Sequence, residues 1–293
     1  MTRPADPSGR VHEAAGNSRP REMTVHDRNR LTGPLSAPLA PLRLHAAAGG
    51  APAQVASTCY HDAVEPAIQA ELIILDFDGV LCRAESFTPE AIRLGLRRFG
   101  ERVGVAMPEP DEATLLATLG YASRQTYPPL IPEPVRERWR EMHALTLDAM
   151  EERIRALGPA VLYPGVPALL DALVAAGHVL ALASNSSARY QRVHSEVHGL
   201  PRWFRYLYHA ECEGIATKAD MVAQVLAAEP GARGAVMVGD RLSDRLAAER
   251  CGLPFIACTY GFGCEEEWAG ALVRVDSPAA LGALFGIAPA DGE

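Results

Sequence analysis

The sequence predicts an α/β fold in which a doubly wound, Rossmann-like parallel sheet carries an inserted α-helical cap domain. The apolar run LIIL at 72–75 indicates a buried strand, because a strand is apolar on both sides only where both faces of its sheet are covered. After residue 164 the pattern alternates strictly between helix and strand, which is typical of right-handed βαβ units and a parallel sheet. Between these two parts, residues 89–157 have a mostly helical pattern without a convincing strand.

The elements can be assigned in order along the chain. In the insertion, Pro89 opens a helix of about a dozen residues, Asp111 caps a second helix over 112–120, and a third helix spans 133–157. The expected core elements are helices over 166–176, 188–198, 218–228 and 242–251, and strands over 178–183, near 206–210, over 235–238 and over 254–258. The core is therefore expected to comprise residues 70–84 and 160–288, and the helical cap residues 85–159.

Residues 1–69 differ from the rest of the chain. They carry scattered Pro, Gly, Ser and Arg without sustained periodicity. Such a segment cannot bury enough apolar area to offset its ordering entropy, so a disordered N-terminal extension is expected.

The composition limits the class of protein. The 48% of hydrophobic and 22% of charged residues are ordinary for a globular protein, and the formal net charge of −8 argues against broad nucleic-acid binding. No apolar run approaches the roughly 18–20 residues of a transmembrane helix. The six cysteines form no CxxC pair, and no secretory signal is visible, so a cytoplasmic location is expected. No pattern in the sequence indicates the oligomeric state.

The basic residues are unusually biased. Of the 28 basic residues, 27 are Arg and one, Lys218, is Lys. The Arg guanidinium is a planar fork and the Lys ammonium a compact point charge, so a lysine retained against this bias is a candidate for a place where Arg would not work. The competing interpretation is the chance survival of one solvated lysine.

Polar residues follow three of the predicted strands. They are Asp76 and Asp78, Ser184 and Asn185, and Asp240. The carboxyl ends of parallel strands meet at one edge of the sheet, where ligands bind. A pair of carboxylates can bind Mg²⁺, or can act as a nucleophile and a general acid/base. A hydroxyl beside free backbone N–H groups can bind a phosphate. Taken singly, each has an ordinary alternative, an Asp-rich turn or a helix cap.

Two further features belong to the same edge. Lys218 lies at a predicted helix start, where the helix dipole disfavours a cation, so an anion is expected beside it. Asp244 lies one helical turn after Asp240, so both carboxylates can face one point.

Taken in order, these segments resemble the four motifs of the haloacid dehalogenase-like superfamily of phosphohydrolases, with a helical cap inserted after the first strand. The matching residues are Asp76-Phe77-Asp78-Gly79-Val80, Ser184, Lys218, and Gly239-Asp240 through to Asp244. The resemblance covers about residues 71–286.

The resemblance implies a role for each matching position. Asp76 would attack the phosphoryl group and form an aspartyl-phosphate, and Asp78 would protonate the leaving alcohol and then activate water. The implied phosphate ligands are Ser184, Asn185, Lys218 and Gly79. The implied Mg²⁺ ligands are Asp76, the backbone carbonyl of Asp78, and Asp240, with Asp244 supporting the ion through a water molecule or through a bond to one of its ligands.

Local details resemble the phosphoglycolate phosphatase-like subgroup. They are Thr217-Lys218-Ala219-Asp220, Met237-Val238-Gly239-Asp240-Arg241, and Tyr260-Gly261-Phe262-Gly263 with the acidic residues after it. The expected function is therefore Mg²⁺-dependent hydrolysis of a small phosphorylated metabolite. A sugar-phosphate mutase of the β-phosphoglucomutase type is an alternative, since it uses the same Asp pair, and a catalytically idle binding module is a third interpretation.

The cap is expected to determine the substrate specificity. Tyr121, Arg124 and Tyr127 lie in a segment between predicted cap helices and are candidates for contact with the substrate tail. The competing interpretation is that the two tyrosines pack the cap.

Overall fold

The computed structural model describes residues 68–288. Its strands are β1 (Leu72–Leu75), β2 (Val179–Ser184), β3 (Phe204–His209), β4 (Ala235–Gly239), β5 (Phe255–Cys258) and β6 (Val273–Val275). The predicted disordered extension, 1–69, lies outside the described residues except for its last two. Ile68 is already buried, and its N–H donates to the Leu284 carbonyl at 3.0 Å.

All six strands are parallel, in the order β3-β2-β1-β4-β5-β6. The chain runs outward from β1 to β3 on one side, then returns to the centre and runs outward again from β4 to β6. Leu75 is paired with Leu182 on one side and with Val238 on the other. This reversal beside β1 opens a crevice at the carboxyl ends of β1, β2 and β4. The predicted doubly wound parallel sheet is confirmed.

Helices cover both faces of the sheet. The core helices are α5 (Val166–Ala175), α6 (Ala188–His198), α7 (Lys218–Ala228), α8 (Leu242–Cys251) and α9 (Pro278–Leu284). Ile73 of β1 is buried in the same cluster as Leu170 of α5, whereas Ile74, its neighbour, is buried with Val222 of α7. Alternate residues of β1 therefore point to opposite apolar layers, which explains the uninterrupted apolar run.

The insertion between β1 and β2 is helical. Its α-helices are α1 (Thr88–Val103), α2 (Glu112–Leu116), α3 (Ser123–Thr126) and α4 (Trp139–Leu157). Helix α1 packs along α4, where Gly95 lies directly against Thr146. The chain enters and leaves the insertion at adjacent points, since the Arg83 N–H donates to the Val161 carbonyl at 2.7 Å and the Tyr163 N–H to the Leu81 carbonyl at 2.9 Å.

Several predicted elements have different bounds in the structure. Asp111 is the N-cap of α2, as expected, and accepts the Thr114 N–H at 2.7 Å, but the helix ends at Leu116. The segment predicted as one helix over 133–157 begins as a 3₁₀ helix, Glu133–Arg138, and becomes α-helical at Trp139. Strand β6 and helix α9 had no counterpart in the prediction. Within residues 68–288, no helix is both long enough and apolar enough to cross a membrane.

Candidate active site

The structure brings five of the predicted residues together at the carboxyl edge of the sheet. Asp76 follows β1, Ser184 ends β2, Asp240 follows β4, and Lys218 and Asp244 lie in the first turns of α7 and α8. All five are at most 3% exposed. Buried charged groups are found where they are paired or bind an ion, so the carboxylates and the ammonium of this cluster require one another or a bound ion.

Lys218 lies between two carboxylates. Its Nζ is 2.9 Å from Asp76 Oδ2 and 2.5 Å from Asp244 Oδ1. Burial disfavours the ammonium, but Asp244 and Asp76 outweigh that effect and hold the pKa of Lys218 above its ordinary value. The helix start is closed by a capping box of Thr217 and Asp220, so the backbone donors are satisfied and the ammonium can extend toward the carboxylates.

Asp76 and Asp78 have different surroundings. Asp76 is enclosed, and burial raises its pKa to about 7 against the opposing effect of Lys218. Asp78 is partly exposed toward the cap, and burial raises its pKa to about 6. The Phe77 N–H donates to Asp76 Oδ1 at 2.7 Å, which fixes the orientation of that carboxylate.

Tyr190 of α6 holds Asp78. Its hydroxyl donates to Asp78 Oδ1 at 2.8 Å and so stabilises the ionised carboxylate. Burial and Asp78 itself raise the pKa of Tyr190 well above its ordinary value, so the phenol stays protonated and remains a donor. Tyr190 was not among the predicted site residues.

Asp240 is fixed by the segment after β5. The Phe262 N–H donates to Asp240 Oδ2 at 2.6 Å, and the Trp268 indole donates to the Asp240 carbonyl at 2.7 Å. A Cβ atom on Gly261 would lie 2.5 Å from the Asp240 side chain, and one on Gly263 would collide with the Asp240 carbonyl. The glycines of the Tyr260-Gly261-Phe262-Gly263 segment are therefore required by their close approach to Asp240.

The acidic cluster fits a divalent cation. One oxygen each from Asp76, Asp240 and Asp244 lies within 4.8 Å of the others. Asp240 Oδ1 is buried, yet it has no hydrogen-bond partner among the described residues. Burial, with the charges of Asp244 and Asp76, raises the pKa of Asp240 well above its ordinary range. An unpaired carboxylate oxygen in a cluster of hard oxygen donors is what Mg²⁺ requires.

The other three predicted phosphate ligands are Ser184, Asn185 and Gly79. Ser184 faces the crevice, and its Oγ accepts the Ser186 N–H at 3.2 Å. The Asn185 amide donates to the Gly120 carbonyl at 3.1 Å, which ties the core to the cap. Gly79 has a φ of +81°, and a Cβ there would collide with the Asp240 carboxylate, so no other residue fits this turn.

The three predicted cap residues have different positions. Tyr121 and Tyr127 both line the cavity between cap and core. Tyr127 is almost fully buried and packs on His143, with ring centroids 4.5 Å apart. Arg124 is not part of that lining, and its guanidinium donates instead to the Ala216 carbonyl at 3.0 Å.

Sequence reasoning also missed a link between the fourth motif and the cap. Arg241 Nη1 donates to the Leu119 carbonyl at 3.0 Å, and its guanidinium carbon lies 4.4 Å from the centre of the Tyr121 ring. Gly120, with a φ of +80°, passes so close that a Cβ would be 2.9 Å from Arg241 Cγ. The signals in the sequence were an Arg directly after the motif Asp and a lone Gly before Tyr121, but neither indicates a partner.

A doubly wound parallel sheet with buried carboxylates and a buried lysine at its carboxyl edge is the arrangement expected of an enzyme that binds its ligand at this edge. A family model described as "haloacid dehalogenase-like hydrolase" matches residues 70–252. The chain belongs to the haloacid dehalogenase-like hydrolase family, which confirms the resemblance seen in the four motifs and the expectation that the protein is an enzyme.

The chain is similar to several known proteins. It is 28% identical over 207 residues to a 5'-nucleotidase from Pseudomonas aeruginosa, covering 69% of this chain and 89% of that protein. A predicted phosphatase from Clostridium acetobutylicum shares the fold with a TM-score of 0.58 and 22% identity, covering 73% of this chain and 97% of that one. A predicted phosphoglycolate phosphatase from Haemophilus somnus has a TM-score of 0.57 and 20% identity, covering 72% and 96% respectively.

Proposed function

We propose that this enzyme is a Mg²⁺-dependent phosphatase that hydrolyses a phosphomonoester of a small metabolite through an aspartyl-phosphate on Asp76. The observation that carries the proposal is the buried contact of Lys218 with Asp76, beside an acidic cluster with an unpaired oxygen on Asp240. A carboxylate can approach a phosphate dianion only where cations neutralise the repulsion. The family and the 5'-nucleotidase relative support the same reaction class.

In the first step, an Asp76 oxygen forms a bond to phosphorus as the bond from phosphorus to the leaving oxygen breaks. Asp78 gives its proton to that leaving oxygen, and the alcohol departs. The Lys218 ammonium and the Ser184 hydroxyl bind the phosphoryl oxygens. Mg²⁺, when bound by Asp76, the Asp78 carbonyl and Asp240, would neutralise charge between the nucleophile and the phosphoryl group.

In the second step, Asp78 takes a proton from a water molecule, whose oxygen attacks phosphorus. The bond between Asp76 and phosphorus breaks, and inorganic phosphate and the free carboxylate result. The partly exposed position of Asp78 and its raised pKa suit a group that gives a proton and then takes one.

A sugar-phosphate mutase would use the same pair of aspartates but must also hold a second phosphate. The cavity lining contains no Arg or Lys within the described residues, which favours the hydrolase. An idle binding module is disfavoured because the whole set of Asp76, Asp78, Lys218 and Asp240 is present.

The test is phosphate release from para-nitrophenyl phosphate with and without Mg²⁺, in the wild type and in Asp76→Asn. We expect activity only with Mg²⁺ and none in the variant, whose melting temperature should show that it is folded. Turnover by folded Asp76→Asn would show that the nucleophile is wrongly assigned.

A further inference from the structure

A cavity lies between the cap and the core, next to the proposed nucleophile, where the group attached to the phosphate would lie. Asp76, Asp78 and Ser184 line its core side. On the cap side, the lining includes apolar side chains from α1 and α4, among them Ile92, Leu147 and Met150. Hydroxyl groups, such as those of Ser123 and Thr126, lie between them.

The cap side of this cavity carries no positive charge. Within the described chain, its lining contains neither Arg nor Lys, and the nearby Arg124 is engaged with the Ala216 carbonyl. Lys218, at the core, is held by Asp76 and Asp244. Lys218 is thus the cation that faces the phosphoryl group, whereas Arg124 and Arg241, which are not part of the lining, are engaged with backbone carbonyls.

His143 is the one cap residue of the lining that could become a cation. Its Nε2 lies 3.2 Å from the Ser123 hydroxyl, and its ring packs on Tyr127. Burial lowers the pKa of His143 to about 4, so the ring is neutral near pH 7. It therefore provides a hydrogen bond and an aromatic surface, without charge.

We propose that the group esterified to the substrate's phosphate is uncharged and hydroxyl-bearing, and that a carboxylate or a second phosphate in its place is rejected. This inference rests on the proposed function, since it describes the leaving group of that reaction. An anionic tail would be enclosed near Asp78 with no counter-charge among the lining residues, and burying an unpaired charge is costly. An uncharged tail would instead meet hydroxyls, a neutral imidazole and apolar walls.

The proposal separates this enzyme from a true phosphoglycolate phosphatase, despite the resemblance to that subgroup. Phosphoglycolate carries a carboxylate at the position where the cap offers no cation. A matched pair of substrates isolates this difference, because 2-hydroxyethyl phosphate replaces the carboxylate of 2-phosphoglycolate with an alcohol and changes little else.

The experiment measures kcat/KM of the wild type for both substrates with saturating Mg²⁺. We expect 2-hydroxyethyl phosphate to be preferred by roughly tenfold or more, since the penalty is an unpaired charge in a site built for neutral groups. Equal values, or a preference for 2-phosphoglycolate, would overturn the proposal.

A variant pair tests whether the cap lining is the cause. His143→Lys places on the cavity wall an amine whose ordinary pKa is about four units above that of imidazole, and Ala144→Lys adds the same group at the next, exposed position of α4. We expect the preference to shift toward 2-phosphoglycolate by roughly tenfold in His143→Lys only. An unchanged preference in folded His143→Lys would contradict the role given to the lining.

A binding measurement distinguishes a failure of this inference from a failure of the proposed reaction. Calorimetric titration of Asp76→Asn with the same two esters measures their order of affinity without turnover. If the wild type hydrolyses neither ester but the variant still binds the neutral one more tightly, the reaction assigned to the site fails, whereas the preference of the cavity for an uncharged group stands. A reversed order, or no binding of either ester, would refute the inference.

Discussion

At the scale of the residue, the site depends on one ammonium held by two carboxylates. The Lys218 side chain is 1% exposed and contacts both Asp76 and Asp244. Removing a partner from such a group would leave a buried charge unpaired, so the three side chains act as one unit. A change to any of them should therefore affect both stability and catalysis.

Replacing Lys218 with Arg keeps the charge but changes its shape. The planar guanidinium is wider than an ammonium, and its donors diverge, so it cannot take both short contacts in the same space. We expect kcat of Lys218→Arg on para-nitrophenyl phosphate to fall by roughly 100-fold or more. Circular dichroism is the control for folding, and wild-type kcat in the variant would refute the assignment.

Replacing Tyr190 with Phe should change the pH dependence. The hydroxyl stabilises the ionised form of Asp78, so its loss raises the pKa of Asp78 further above its present value of about 6. The first step needs protonated Asp78, so we expect the alkaline limb of the kcat/KM profile to move to higher pH by about one unit.

Tyr260→Phe is the matched control for that profile. It removes a hydroxyl bonded to the Val80 carbonyl in the same region, and its profile should match the wild type. The role of Tyr190 would be excluded by an alkaline limb that stays in place, or by one that moves equally in both variants.

At the scale of the element, the N-terminal end of α8, with the residue that caps it, contacts both the acidic cluster and the cap. Asp244 contacts Lys218, while Arg241, the residue just before the helix, reaches Leu119 in the insertion. Arg241 is further held by Glu267, whose Oε1 is 3.2 Å from Arg241 Nε. The cavity wall formed by Gly120 and Tyr121 is therefore positioned by the same element that carries the fourth motif.

Arg241→Gln should weaken this link without removing any predicted metal ligand. We expect kcat/KM to fall by roughly tenfold, mainly through KM, because the cavity wall is no longer fixed. Gly120→Ala should act in the same direction, since it introduces a Cβ at a positive φ beside Arg241.

The control for this link is Arg245→Gln in the same helix, because Arg245 bonds to Glu267 and Glu249 on the core. A KM unchanged in both Arg241→Gln and Gly120→Ala would show that the link has no part in substrate binding.

The sequence predicted those elements whose signal is local. Apolar runs identified β1 and β4, and the helices over 188–198, 218–228 and 242–251 have their predicted bounds. Strand β6 was missed because it has only three residues, with exposed Arg274 at its centre. In the cap, the pattern over 133–157 did not distinguish a 3₁₀ start from an α-helix, because the opening residues are exposed on a charged surface.

The residues of the candidate site also fall into those that a local pattern predicts and those that it does not. Asp76, Asp78, Lys218 and Asp240 could be located because each ends a strand or begins a helix at one sheet edge. Tyr190, Arg241 and His143 could not, because their partners are far away in sequence. Tyr190, for example, bonds a carboxylate 112 positions earlier. Such contacts depend on the tertiary packing of segments that are distant in sequence, which no local pattern encodes.

At the scale of the whole molecule, stability should depend on Mg²⁺. Three buried acids of the cluster face one buried lysine, so the folded state carries repulsion that a divalent cation relieves. Because a preformed site is absent from the unfolded chain, Mg²⁺ at 100 times its dissociation constant should add about 2.7 kcal/mol to the free energy of unfolding.

The melting temperature with and without Mg²⁺ measures this effect. Asp240→Asn removes the unpaired carboxylate oxygen, so we expect the Mg²⁺-dependent increase to vanish, whereas the exposed Asp276→Asn should retain it. An increase of equal size in Asp240→Asn would rule out the proposed metal ligands.

Because the single lysine is buried, proteolysis at this residue can also be used to measure how often the folded molecule opens. A protease that cuts only after lysine has one cleavage point in the whole sequence, at Lys218, and the side chain it must recognise is enclosed by Asp76 and Asp244. Cleavage therefore requires the opening of the candidate active site, and it yields two fragments, 1–218 and 219–293. Where opening and closing are fast, the rate of that single cut follows the population of opened molecules.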